Sequence, residues 1–238
     1  TGMYSKNFGP QALHGLATNE TTIPEYLKQQ GYYTAGLGKW HLGYHAPYHP
    51  SYRFDYYYGI PYSLDMGCND NDPSYNYPTN PQVCPKDDNL FLQYDDNNNI
   101  LLPPAASRVA LPLMQATNNC STPKTCDETI IQQPVDLSTL SQNYVKQIDD
   151  ITDTVLKKNA LHQTKNEDEE PFFIYYAFSH VHVPLLTNEK YKNTSARNNP
   201  FGDVLMEVDD TVDQIMNILN QKNLLDDTLV IFTGDNGP

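Results

Sequence analysis

Three times along this chain a helical stretch runs into a short apolar segment that ends abruptly in polar residues. Thr22-Ile-Pro-Glu25 reads as a capping box with proline in the first turn, opening a helix that runs to Gln30, where Gly31 supplies the stop. Tyr32 to Ala35 then reads as a short buried strand. Leu137, Leu140, Tyr144, Ile148, Ile151 and Val155 recur at three- and four-residue spacing and predict an amphipathic helix over 138–158. Behind it, Pro171 to Phe178 is a continuous apolar and aromatic run, the pattern of a parallel strand covered on both faces. Leu205, Val208, Val212, Ile215, Met216 and Leu219 mark a third helix, and Leu229 to Thr233 reads as the last strand. Strands that need cover on both faces, each preceded by a helix, predict an α/β fold: a mostly parallel sheet flanked by helices. In such sheets ligands bind at the carboxyl edge.

From Tyr44 to about Pro134 periodicity disappears among Tyr, Pro, Asn and Asp, and residues 64–136 are read as an irregular, loop-rich insertion. Leu90–Tyr94 and Ile100–Leu102 flank an Asp/Asn run like a hairpin, with prolines limiting any strands to edges. Of three connectivities open to Cys68, Cys84, Cys120 and Cys126, the most local pairs Cys68 with Cys84 and Cys120 with Cys126. None of the cysteines stands in a C-x-x-C pair, so disulfides are favoured over zinc. Sequons at Asn19, Asn119 and Asn193 join the cysteines in favouring a secreted or lysosomal, lumenal compartment. A formal charge of −14, with only 15 Lys and Arg, argues against a nucleic-acid partner. No run approaches the roughly 18 apolar residues that span a bilayer.

Each predicted strand delivers one polar cluster. The first is Lys39 and His41 in Gly36-Leu-Gly-Lys-Trp-His-Leu-Gly43, where an ammonium and an imidazole between glycines suit an anionic substrate. The second is His180 and His182, and the third Asp235 and Asn236, hard oxygen donors suited to calcium or magnesium. His180 or His182 alone could equally be a satisfied core histidine, and Asp235-Asn-Gly237 a turn. It is the recurrence at successive strand ends that points to one site.

On these segments, with Gly59-Ile-Pro-Tyr-Ser63 and Phe201 to Asp209, the chain resembles the sulfatase family, and its arylsulfatase A-like branch in particular. The resemblance implies the alkaline-phosphatase-superfamily fold and hydrolysis of a small-molecule or glycan sulfate ester. It implies that Lys39 and His41 contact a formylglycine hydrate and the sulfate, that Ser63 and His182 bind sulfate, and that Asp235 and Asn236 ligate a divalent cation. That cation is calcium in most of the family, with magnesium second. Attack by the hydrate on sulfur is nucleophilic catalysis assisted by the metal.

The nucleophile motif of the family, C-x-P-x-R or S-x-P-x-R, is not among the 238 residues. The chain is therefore expected to be the central part of a single catalytic domain, truncated at both ends and inactive alone, with formylglycine on a Cys or Ser upstream of Thr1. Two other readings stand beside this one. A phosphodiesterase or phosphonate hydrolase of the same superfamily would share the sheet, but two-zinc sites tend to place histidine where Asn236 stands. An inactive secreted glycoprotein on the same scaffold is the second, since a fold does not entail a function.

Overall fold

The computed structural model describes residues 14–43, 48–64, 66–69, 84, 110–117 and 127–235. Five strands form one sheet: β1 (Tyr33–Lys39), β2 (Tyr56–Ile60), β3 (Leu113–Thr117), β4 (Asp127–Gln132) and β5 (Phe172–Ala177). Their spatial order is β4-β3-β2-β1-β5, with β2, β1 and β5 parallel and β3 and β4 antiparallel. Three helices accompany them: α1 (Ile23–Lys28), α2 (Leu140–Lys165) and α3 (Pro200–Gln221). The sheet is thus mixed, and its antiparallel half comes from within the predicted insertion. The Leu90–Leu102 hairpin and the Cys120–Cys126 pair lie outside the described residues; Cys68 and Cys84 are bonded as the local pairing predicts.

Side-chain alternation on the strands sorts the core into two faces, because successive residues of a strand point to opposite sides. Ala35, Leu37, Tyr58, Ile60 and Leu113 meet Tyr144, Ile148 and Ile151 of α2. Tyr57, Ala116 and Phe173 point the other way and pack with Trp40 and Phe54. The periodicity that predicted α2 is the periodicity that buries it. The helix runs past its apolar stripe to Lys165 because its last turns are held from outside: Asn159 Oδ1 accepts from the Glu170 amide at 2.7 Å, and Asn166 closes the end in the left-handed region at φ 60°. The acidic turn at 166–170 is largely solvated, with Glu170 paired to Lys158 at 3.0 Å.

β1 is longer than the sequence suggested. Gly36 and Gly38 read as loop residues, yet both lie inside the strand, and Lys39 is its last residue rather than part of a loop. The reason is close approach, not turning: a Cβ on Gly38 would stand 1.9 Å from the Ala177 carbonyl oxygen of β5, at φ +90°.

The predicted strand at Leu229–Thr233 does not form. The segment pairs with no strand, and Leu229, Ile231 and Phe232 are 84%, 76% and 69% exposed. An apolar run becomes a strand only where a sheet edge accepts its backbone, and among the described residues none does. Its one ring contact is Phe232 against Phe178, centroids 6.4 Å apart, just past the end of β5.

Candidate active site

Because β2, β1 and β5 are parallel neighbours, their carboxyl ends share one edge of the sheet. Gly38 of β1 stands opposite Gly59 on one side and Ala177 on the other, and Lys39 opposite Ile60. The edge therefore collects Lys39 and His41 after β1, Ser63 after β2, and the His180–His182 segment after β5. Two backbone bonds couple the first two loops: Trp40 N–H donates to the Ile60 carbonyl at 3.0 Å, and His41 N–H to the Pro61 carbonyl at 3.1 Å. His41 sits in the left-handed region at φ 54°, unusual for a residue with a side chain and a mark of a constrained, aimed position.

The supports beneath this edge are aromatic. Tyr57, buried across the sheet, donates its hydroxyl to the Gly38 carbonyl at 2.8 Å, and burial pushes its phenol well above the usual value. Trp40 donates its indole N–H to the Tyr48 carbonyl at 3.1 Å and meets Phe54 edge-on. These two bonds fasten the chain at Gly38 and Trp40, on either side of Lys39.

Ser63 is 1% exposed, and its hydroxyl has no hydrogen-bond partner among the described residues. A buried polar atom without a partner costs free energy unless a ligand completes it. His182 is exposed, with Nδ1 on the Val183 carbonyl at 2.7 Å. His180 is the opposite case: it is buried, its Nδ1 lies 3.4 Å from Ser141 Oγ, its Nε2 lies 3.9 Å from Glu207, and burial pushes its pKa down. Of the two histidines weighed together in the sequence, only His182 is presented to the edge.

Asp235 is exposed, three residues past Phe232, and Asn236 lies outside the described residues. No group of three His, Cys, Asp or Glu side chains able to hold a metal gathers among the described residues. The donor chemistry of Asp235 suits a hard cation, but the described residues alone do not build a site for one. Two concavities lined by described residues lie elsewhere. One, of about 360 Å³ at the amino edge near Tyr33, is ringed by the satisfied ion pairs Lys28–Asp55 and Lys158–Glu170. The other, of about 690 Å³, lies against α3 beside Tyr191 and Met206.

The carboxyl edge of the parallel strands thus brings together an ammonium, imidazoles and a buried hydroxyl that has no hydrogen-bond partner among the described residues, a set of groups suited to an anion. The comparisons with known proteins identify a family. Residues 1–238 match the sulfatase family, and the chain belongs to it. It is 39% identical to arylsulfatase G of Rattus norvegicus over 233 residues, which is 98% of this chain and 38% of that protein. It is 33% identical to arylsulfatase A of Homo sapiens over 240 residues, 100% of this chain and 39% of that one. The structure of the PsFucS1 sulfatase from Pseudoalteromonas sp. superposes with a TM-score of 0.60 at 20% identity, covering 86% of this chain and 35% of that one. The chain thus spans under two fifths of the curated relatives it matches. Sulfatases share the alkaline-phosphatase-like α/β fold and, as a family, employ a divalent cation and formylglycine.

Proposed function

We propose that the chain is the sulfate-holding part of a sulfuric ester hydrolase of arylsulfatase type, central to a longer catalytic domain. The observation that carries the reading is Ser63: a buried hydroxyl without a hydrogen-bond partner among the described residues, on the same strand edge as Lys39 and His41. Lys39 and His182 would neutralise the sulfate oxygens, Ser63 would donate to one of them, and His41 would hold or move a proton at the reacting centre. A formylglycine hydrate would supply the attacking hydroxyl from residues outside these 238, consistent with a chain that covers 38% to 39% of its arylsulfatase relatives. Asp235 and Asn236 would contribute oxygen ligands to a calcium ion completed by the rest of the domain.

The Cys68–Cys84 disulfide supports a secreted or lysosomal location, as do the sequon asparagines Asn19 and Asn193, both exposed. No helix among the described residues is long and apolar enough to cross a membrane. The substrate would be a small-molecule or glycan sulfate ester.

Inhibition by free sulfate tests the carrying observation in the complete protein. Ser63→Ala should weaken sulfate inhibition of aryl sulfate turnover by about tenfold, the loss of one hydrogen bond to a charged group. Unchanged inhibition would remove Ser63 from the site.

A further inference from the structure

α3 buries a polar stripe. Asp203, Glu207 and Thr211 are 2%, 1% and 1% exposed, at the four-residue spacing that puts them on one side of the helix. Burying a carboxylate costs several kcal/mol unless its oxygens are well occupied, and apolar residues of similar size often serve stability as well or better. Glu207 meets that condition on one oxygen, while its Oε1 has no hydrogen-bond partner among the described residues. Its Oε2 accepts from the Thr187 hydroxyl and from the Asn188 amide, the latter at 3.0 Å, and lies 3.9 Å from Nε2 of His180. One carboxylate oxygen is therefore hydrogen-bonded to the 187–188 end of the segment 180–188 and lies near its other end. Asn188 also donates its side-chain amide to the Ser138 carbonyl at 3.1 Å, and His180 Nδ1 lies 3.4 Å from Ser141 Oγ of α2. The loop is fastened to α2 through His180 and to α3 through Thr187 and Asn188.

His182 rides on this loop. Its side chain is exposed and makes one hydrogen bond among the described residues, to the carbonyl of its own neighbour Val183. Its position is thus set by the loop's backbone and not by packing of the ring. We propose that Glu207 is a positioning residue for His182, a buried anchor that bonds the 187–188 end of the loop beside His180 and thereby fixes where the imidazole stands at the sheet edge. This rests on the reading of His182 as a sulfate-binding group.

The test uses the complete protein, with Glu207→Gln, His182→Ala and the double variant, and hydrogen exchange followed by mass spectrometry. Glu207→Gln should speed amide exchange in 180–188 by at least about tenfold while α2 and β1 stay protected. It should lower kcat/KM by about 10- to 100-fold, yet lower it less than about threefold further when His182 is already alanine, because the two act as one unit. Additive losses with unchanged exchange in 180–188 would overturn the anchor while leaving the sulfatase reading intact. A silent His182→Ala would overturn the role of His182 and with it the catalytic meaning of the anchor. If Glu207→Gln does not fold, Thr187→Val removes one of the carboxylate's donors and should show the same pattern at smaller amplitude; no change in exchange would count equally against the anchor.

Discussion

His180 and His182 are separated by one residue and by opposite fates, and they show what single side chains decide here. The residue pattern alone left both as candidates, and the family resemblance singled out His182. Burial assigns them: His180 joins Ser141 and Glu207 inside, and His182 faces out at the sheet edge. His180→Ala should therefore act on folding, lowering the unfolding midpoint by an amount in line with about 2 to 3 kcal/mol for a buried hydrogen-bonded group, whereas His182→Ala should leave the midpoint near wild type. Thermal melts of the two variants decide this, and equal midpoints would contradict the assignment. Lys39, His41 and Ser63 were conspicuous in the sequence because they stand in short motifs among glycines and prolines. Glu207 was not, because a carboxylate on a helix is normally read as solvated, and its only signal is the spacing of Asp203, Glu207 and Thr211 along one side.

At the scale of elements, α1, α2, α3, β1 and β5 follow from capping residues and periodicity, and the misses have identifiable causes. β3 and β4 carry little strand signal: Asp127 to Ile131 of β4 is exposed, and pairing with β3, not burial, makes it a strand. The third helix is displaced from its predicted face because its buried side mixes Val204 and Leu219 with the polar stripe, leaving Leu205 45% exposed. At β1, Gly38→Ala is expected to destabilise by on the order of 3 kcal/mol, since a methyl group cannot share space with the Ala177 carbonyl and φ +90° is strained for alanine. At about 2 to 4 °C per kcal/mol for a protein of this size, a melting experiment resolves it. The α1 capping box is anchored further in: Glu25 receives the Thr22 amide at 2.8 Å and pairs at 2.7 Å with Arg53, which is 3% exposed. Burial opposes the Glu25 charge, but the Thr22 and Arg53 bonds outweigh it and hold its pKa low. Glu25→Ala would leave a buried guanidinium with only the Glu20 and Ala17 carbonyls, and a loss of about 3 kcal/mol is expected in chemical denaturation.

Across the whole molecule, acid stability has a named contributor. His49 is 2% exposed, its Nδ1 accepts from the Ser51 amide at 3.3 Å, and burial pushes its pKa from 6.5 down to about 4. Glu128 lies 3.1 Å from Nδ1, but burial raises its own pKa and weakens it as a counter-ion. A folded-state pKa below the unfolded one means the unfolded chain binds the proton first. The stability that neutral His49 contributes is thus complete above about pH 6.5 and is lost as the pH falls toward 4, on the order of 3 kcal/mol at most. Melting midpoints of wild type and His49→Gln at pH 7 and pH 4.5 should converge at the lower pH; a constant gap would mean His49 does not report the acid loss. The central claim, that one sheet edge holds a sulfate ester, is tested most directly by aryl sulfate turnover in the complete protein beside its Lys39→Ala variant. The account predicts hydrolysis by the wild type and a loss on the order of 10² to 10³ in kcat/KM for the variant at an unchanged unfolding midpoint. Equal turnover by the two, or a wild type that cleaves the aryl phosphate faster than the sulfate, would contradict it.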